Sequence, residues 1–167
     1  MKTRKILFYI FLSIAIAINV LIIVESCIGG EGSASQSISV SESIAHAIEN
    51  MFPNAEIDHA AFHSAIRKIV GHFLLFGLSG IFTTLAVMMN DFLMNKFKWK
   101  NVLFIAAFGL LIAMISEFIQ YFTPGRYGAL LDILIDYSGY VLFGGLTYLV
   151  TYLLLKKQSE KATKNPD

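Results

Sequence analysis

Two short segments, Ser116-Glu117-Phe118-Ile119-Gln120 and Leu131-Asp132-Ile133-Leu134-Ile135-Asp136, set three carboxyl groups and an amide inside otherwise apolar runs. The turn Thr123-Pro124-Gly125-Arg126-Tyr127-Gly128 joins them. Ionisable groups at membrane depth cost roughly 2.5–3.5 kcal/mol each on insertion scales, so they persist where they face a packed interior or a polar cavity. Carboxyl groups can transfer protons, and the guanidinium of Arg126 can hold a phosphate or carboxylate in a bidentate fork. Spacing supports convergence: Glu117 and Gln120 are i, i+3 and Asp132 and Asp136 are i, i+4, so each pair lies on one helix face. The short Pro124-Gly125 turn makes the two helices antiparallel neighbours.

Composition dictates what positions these groups. Of the 167 residues, 56% are hydrophobic and only 15% charged, and mean hydropathy is +0.64, a balance that points to a membrane protein. A ~30 Å hydrocarbon core needs about 20 apolar residues per helix. Four runs qualify: residues 6–24, 69–89, 102–122 and 130–155. The chain is therefore read as an all-α, integral membrane four-helix bundle. It divides into an N-terminal transmembrane helix (1–24), a Ser/Gly-rich outer loop with short amphipathic helices (25–68), a three-helix region (69–155) and a tail (156–167). The basic start Lys2, Arg4 and Lys5 before an apolar run also describes a secretory signal. The run exceeds the usual span of about 7–15 residues and no small-x-small pattern follows, so a retained helix is expected. Cys27 with Glu25 nearby is a poor fit to a lipidated cysteine, and a single cysteine excludes an intrachain disulfide.

Orientation follows from Lys and Arg. Lys2, Arg4, Lys5, Lys96, Lys98, Lys100, Lys156, Lys157, Lys161 and Lys164 fall on one side, against Arg67, Lys68 and Arg126 on the other. Both termini and the middle loop are expected to be cytoplasmic, and the 25–68 segment and the Arg126 turn extracytoplasmic. At 1.5 Å per residue, Glu117 lies about 7 Å below the end of its span and Asp136 roughly 9 Å below the start of its own. His72, about one turn into the second span, belongs to the same layer near the outer leaflet. Gly71, Gly77 and Gly80 on the second helix, with Gly139, Gly144 and Gly145 on the fourth, would permit close helix approach.

Residues 25–45 are dense in Gly and Ser and read as a flexible linker. Ser39 with Glu42 forms a capping box that opens a short helix stopped by Pro53. A second amphipathic helix is expected from near Asn54 through Arg67, lying on the bilayer before the chain turns in. His59 and His63 are i, i+4 on it, but the glutamate of a His-Glu-x-x-His zinc site is absent, so they read as solvated. Phosphate-binding glycine loops, Cys-x-x-Cys and Gly-x-Ser-x-Gly are missing, which argues against nucleotide-driven transport and familiar serine or cysteine hydrolases. Lys96-Phe97-Lys98-Trp99-Lys100 reads as an interfacial anchor for anionic headgroups, with no nucleic-acid role.

Arg67-Lys68 followed by His72-Phe73 and Phe76, then Ser116-Glu117-x-x-Gln120-x-Phe122-x-Pro124-Gly125-Arg126, then Asp132-x-x-x-Asp136-x-x-Gly139, resembles the VanZ-like family over about residues 65–146. The resemblance implies a four-helix protein in the cell membrane of a Gram-positive bacterium, in a family whose namesake contributes to resistance against the glycopeptide teicoplanin. Many members carry Asn where this chain has Asp136.

The sharpest functional expectation is an outward-facing site for an amphiphile such as a membrane lipid or lipid-linked cell-wall precursor. Glu117, His72, Asp132 and Asp136 are its candidate catalytic groups, and Arg126, Gln120 and Lys68 its candidate ligand-binding groups. No cofactor is expected. No metal is assigned, although His72, Glu117, Asp132 and Asp136 supply suitable donor types and nothing in their spacing selects an ion. The competing reading is a non-enzymatic membrane protein whose polar cluster binds a partner or fastens helices together; such interhelical bonds contribute about 0.6 kcal/mol each.

Overall fold

The computed structural model describes residues 2–53, 57–93 and 99–164. Every regular element among them is helical: α1 (Lys2–Cys27), α2 (Gly30–Met51), α3 (His59–Ile66), a π-helical stretch (Arg67–Leu74), α4 (Leu75–Leu93), α5 (Trp99–Phe122) and α6 (Leu130–Lys164). Four segments are long and apolar enough to cross a membrane: Arg4–Cys27, His59–Asn90, Trp99–Phe122 and Leu130–Leu154. Their outer faces expose large apolar side chains such as Leu103, Phe104, Leu111, Leu134, Leu142 and Leu149, as a lipid-facing surface requires. Of the expected basic and aromatic anchor, Trp99 and Lys100 are exposed, and Lys96, Phe97 and Lys98 lie outside the described residues.

The spanning helices form a ring in which α4 packs on α1 and α6, and α5 closes the circuit against both. One residue from each helix meets at its centre: Ile22, Phe76, Ala113 and Tyr140. Without a hydrophobic force between helices in lipid, close van der Waals approach has to hold them. Gly80 lies directly against the Tyr140 carbonyl and Gly139 against the Phe73 carbonyl, so α6 touches α4 and the π-helical stretch ahead of it backbone to backbone. Gly77 faces the Phe143 ring, and Gly144 packs on Thr84 and Gly80. Gly145 and Gly71, which looked equivalent in sequence, face no such neighbour.

Two expectations for the segment before the second span need correction. The Gly/Ser-rich stretch is α2, a helix of 22 residues that begins at Gly30, ten residues before a Ser39 capping box would place it. Some of its serines donate to carbonyls of their own helix, Ser43 Oγ to that of Ser39 at 2.8 Å and Ser41 Oγ to that of Ile38 at 3.0 Å. Ser41 and Ala45 are fully buried, and α2 packs on α3. Packing therefore overrides the weak helix propensity of Gly and Ser. The helix still ends just before Pro53.

The second correction concerns the corner expected at Arg67. Residues 54–56 lie outside the described residues; α3 begins at His59, with the Asp58 carboxylate accepting from Ala61 N–H at 3.2 Å as its cap. From there helical backbone runs without a break through the π-helical stretch into α4. That widened turn carries Arg67, Lys68 and His72, and π-bulges of this kind are frequent at functional sites.

Gly139→Ile would push a branched side chain into the Phe73 backbone. It is expected to lower the unfolding free energy in detergent by about 1–3 kcal/mol, whereas Gly145→Ala, in open space, is expected to shift it by less than about 0.5 kcal/mol. Thermal or denaturant unfolding followed by circular dichroism reads both.

Candidate functional site: a buried polar cluster at one end of the bundle

The end of α1, the π-helical stretch, the end of α5 and the start of α6 meet at one end of the ring, and the polar groups singled out in the sequence lie there. His72 Nδ1 is 3.0 Å from Asp136 Oδ1, with the aspartate side chain fully buried. Glu117, 3% exposed, completes a group of three whose ligand atoms all lie within 4.8 Å of one another.

Glu117 is held by the start of α6. Its Oε2 accepts from Ala129 N–H at 3.0 Å, so the carboxylate sits at a helix N-terminus, where unpaired amides and the macrodipole favour negative charge. Gly128 allows this, because a Cβ there would fall 2.6 Å from the Glu117 carbonyl oxygen. The other oxygen, Oε1, is buried with no hydrogen-bond partner among the described residues, as is Asp136 Oδ2.

The remaining candidates have separate partners. Asp132, expected with Glu117 and Asp136, is instead engaged by Lys68 Nζ at 2.6 Å, at the half-buried edge of the cluster. Gln120 Nε2 donates to Ser116 Oγ at 3.2 Å, Ser116 Oγ lies 2.8 Å from Ser26 Oγ, and Ser26 Oγ donates to the Ile22 carbonyl at 2.8 Å. This relay ties α5 to α1 and buries all three side chains.

Arg126 stands at the turn. Gly125 takes φ +72°, Arg126 N–H donates to the Thr123 carbonyl at 3.1 Å, and one guanidinium nitrogen donates to the Glu25 carbonyl at 2.8 Å. Gly30 N–H donates to the Pro124 carbonyl at 3.0 Å, and the two glycine backbones, Gly30 and Gly125, are in direct contact. The α1–α2 junction is thereby clamped to the α5–α6 turn. Partial burial lowers the Arg126 pKa, with nearby Arg67 adding to the drop and Glu117 and Glu25 opposing it.

Beside the cluster lies a cleft of about 260 Å³. Arg67, His72, Gln120 and Arg126 contribute polar lining, and Ile22, Val70, Leu75 and Phe76 contribute apolar lining. Arg67 Nε is buried with no partner among the described residues, which leaves a guanidinium donor beside the cleft. Arg67, Ser26 and Ser116 were not among the site residues expected from sequence; Arg67 and Ser116 stand in the motif that carries the family resemblance, which could have singled them out, and Ser26 has no such signal. The chemistry assembled here is an imidazole oriented by a carboxylate, a second carboxylate, and guanidinium groups at the wall of an amphipathic cleft.

His59 and His63 take part in the α2–α3 contact. His59 Nε2 lies 3.1 Å from Glu49, and His63 Nδ1 is bonded to Ser41 Oγ. The solvated reading holds for His59, whose side chain is 48% exposed, and is corrected for His63, which is partly buried against Ser41.

A family model described as VanZ/LLP1 matches residues 8–154, which is most of the chain. Among curated proteins and among solved structures, no match is found.

Lys68→Met strands Asp132 at 13% side-chain exposure and is expected to destabilise the protein by about 1–3 kcal/mol. Adding Asp132→Leu is expected to recover most of that loss, and a double-mutant unfolding cycle is expected to return a coupling of about 0.5–3 kcal/mol.

Proposed function

We propose, for a chain that belongs to the VanZ/LLP1 family, that the cleft takes an amphiphilic envelope component, such as a membrane lipid or lipid-linked cell-wall precursor, and so lowers sensitivity to teicoplanin-type glycopeptides. The observation that carries this reading is the pairing, in one cleft, of buried acid–base groups with guanidinium donors and an apolar wall. An anionic head would bind at Arg67 and Arg126, whose planar forks suit phosphate or carboxylate. The hydrocarbon part would lie along Ile22, Leu75 and Phe76. His72, with Asp136 accepting from Nδ1–H, would present Nε2 as base, and Glu117 would act as its acid–base counterpart.

The distribution of Lys and Arg supports placing this end of the bundle on the outer face of the cell membrane, with both termini cytoplasmic. Cys27, the single and exposed cysteine, reports on that directly. In intact cells an impermeant maleimide is expected to label it, and labelling that requires lysed cells would reverse the orientation.

A second reading is favoured by the internal partners of Asp132 and Gln120: the polar layer fastens helices or holds a partner without chemistry. Glycopeptide susceptibility of a sensitive Gram-positive host separates the two. Wild type is expected to raise the inhibitory concentration of teicoplanin, and Glu117→Gln, Asp136→Asn and Arg126→Ala at matched membrane levels to return it to the empty-vector value. Losing an acid–base group reduces rate on the order of 10²–10⁴-fold. Full protection by Glu117→Gln would favour the non-enzymatic reading, and no protection by well-expressed wild type would remove the glycopeptide role.

A further inference from the structure

We propose that His72, Glu117 and Asp136 bind one divalent first-row metal ion, of the Zn²⁺ or Mn²⁺ type, where the π-helical stretch, α5 and α6 meet. One imidazole and two carboxylates, each from a different element, offer ligand atoms within 4.8 Å of one another, and all three residues are buried. The second observation is independent of that clustering. Glu117 Oε1 and Asp136 Oδ2 are buried acceptors that no donor reaches among the described residues. A buried carboxylate oxygen without a partner is costly, and two carboxylates this close repel unless a proton or a cation lies between them.

The charge balance fits. A neutral imidazole and two carboxylates sum to −2, which a divalent ion cancels, so the loaded site would be neutral within the apolar bundle. Lys68, the nearest ammonium on the same stretch, is on Asp132.

The geometry is close to that of a bound ion. Metal–ligand bonds of about 2.0–2.2 Å place tetrahedral ligands about 3.4 Å apart. His72 Nδ1 and Asp136 Oδ1 are already 3.0 Å apart, and the other separations, within 4.8 Å, have to close by at most about 1.4 Å. Anchorage of Glu117 Oε2 on Ala129 N–H leaves Oε1 as the available oxygen. Imidazole suits zinc, iron and nickel, carboxylates suit manganese and magnesium, and the absence of sulfur disfavours copper(I). Three protein ligands leave coordination positions open, and His72 borders the cleft through which water or an anionic group would reach them. In the loaded site His72 Nδ1 would ligate the ion in place of its bond to Asp136, so Nε2 would carry the proton and base action by His72 would belong to the metal-free site.

The experiment is elemental analysis of full-length protein purified in detergent without chelator. Chelator-treated protein is then titrated with Zn²⁺ and, separately, with Mn²⁺ followed by electron paramagnetic resonance. About one equivalent per chain is expected by one of the two ions. Glu117→Gln and Asp136→Asn are each expected to weaken binding at least about 10-fold, the lower end of what a disturbed metal shell costs. The double variant His59→Asn/His63→Asn is expected to bind as wild type does. Circular dichroism and a monodisperse elution profile establish that each variant is folded, and the wild-type stoichiometry is decisive if one is not. Well under 0.1 equivalent on wild type in both titrations overturns the proposal, as does binding that survives Asp136→Asn unchanged or vanishes with the His59/His63 pair.

Discussion

Asp136 is fully buried between helices whose outer faces are lipid-like, and its contact with His72 is the constraint around which the bundle is arranged. A carboxyl group in that position needs a partner delivered from another helix. His72 comes from the widened turn ahead of α4, so the pair sets the register of α6 against α4. A slide of one turn, about 5.4 Å, would separate the two groups. Gly139 is three residues beyond Asp136 on the same face and rests on the carbonyl of Phe73, the residue after His72. The polar pair and the closest backbone approach are therefore one contact: the glycine brings the helices near enough for imidazole and carboxylate to meet.

A second set of ties closes the same end of the ring. The Gly30 amide on the Pro124 carbonyl, the Arg126 guanidinium on the Glu25 carbonyl and the Gln120–Ser116–Ser26 relay join the α1–α2 junction to α5 and its turn. The first two use backbone groups exposed where a helix ends, which gives those carbonyls and amides partners away from lipid, and the relay is built from side chains. Between these ties and the π-helical stretch lies the amphipathic cleft, with walls held on three sides. Family membership, four apolar spans and this buried polar cluster beside an amphipathic cleft describe a membrane protein whose distinctive chemistry is concentrated at one end.

Some features were readable in advance because they depend on the chain alone. The apolar runs that became α1, α4, α5 and α6 are long enough to specify helix and membrane without regard to neighbours. Glu117 and Gln120 share a face by spacing, and both are buried. α2 was misread because Gly and Ser are weak helix formers in isolation, and what holds it is burial of Ser41 and Ala45 and the bond from Ser41 to His63 on α3. The π-helical stretch has no sequence signature of the kind a proline or capping residue supplies, so the expected corner at Arg67 became a continuous helix.

The division is sharpest at the two aspartates. By itself the sequence determined that Asp132 and Asp136 lie on one face of an apolar helix, one turn apart and level with Glu117 and His72, because helical rise and period depend only on local geometry. Tertiary structure decided that Asp132 joins Lys68 at the edge while Asp136 meets His72 and Glu117 within. That choice depends on how far α6 is rotated and how closely its glycines let it approach α4, and helix rotation and separation are set by side-chain contacts between segments 64 residues apart.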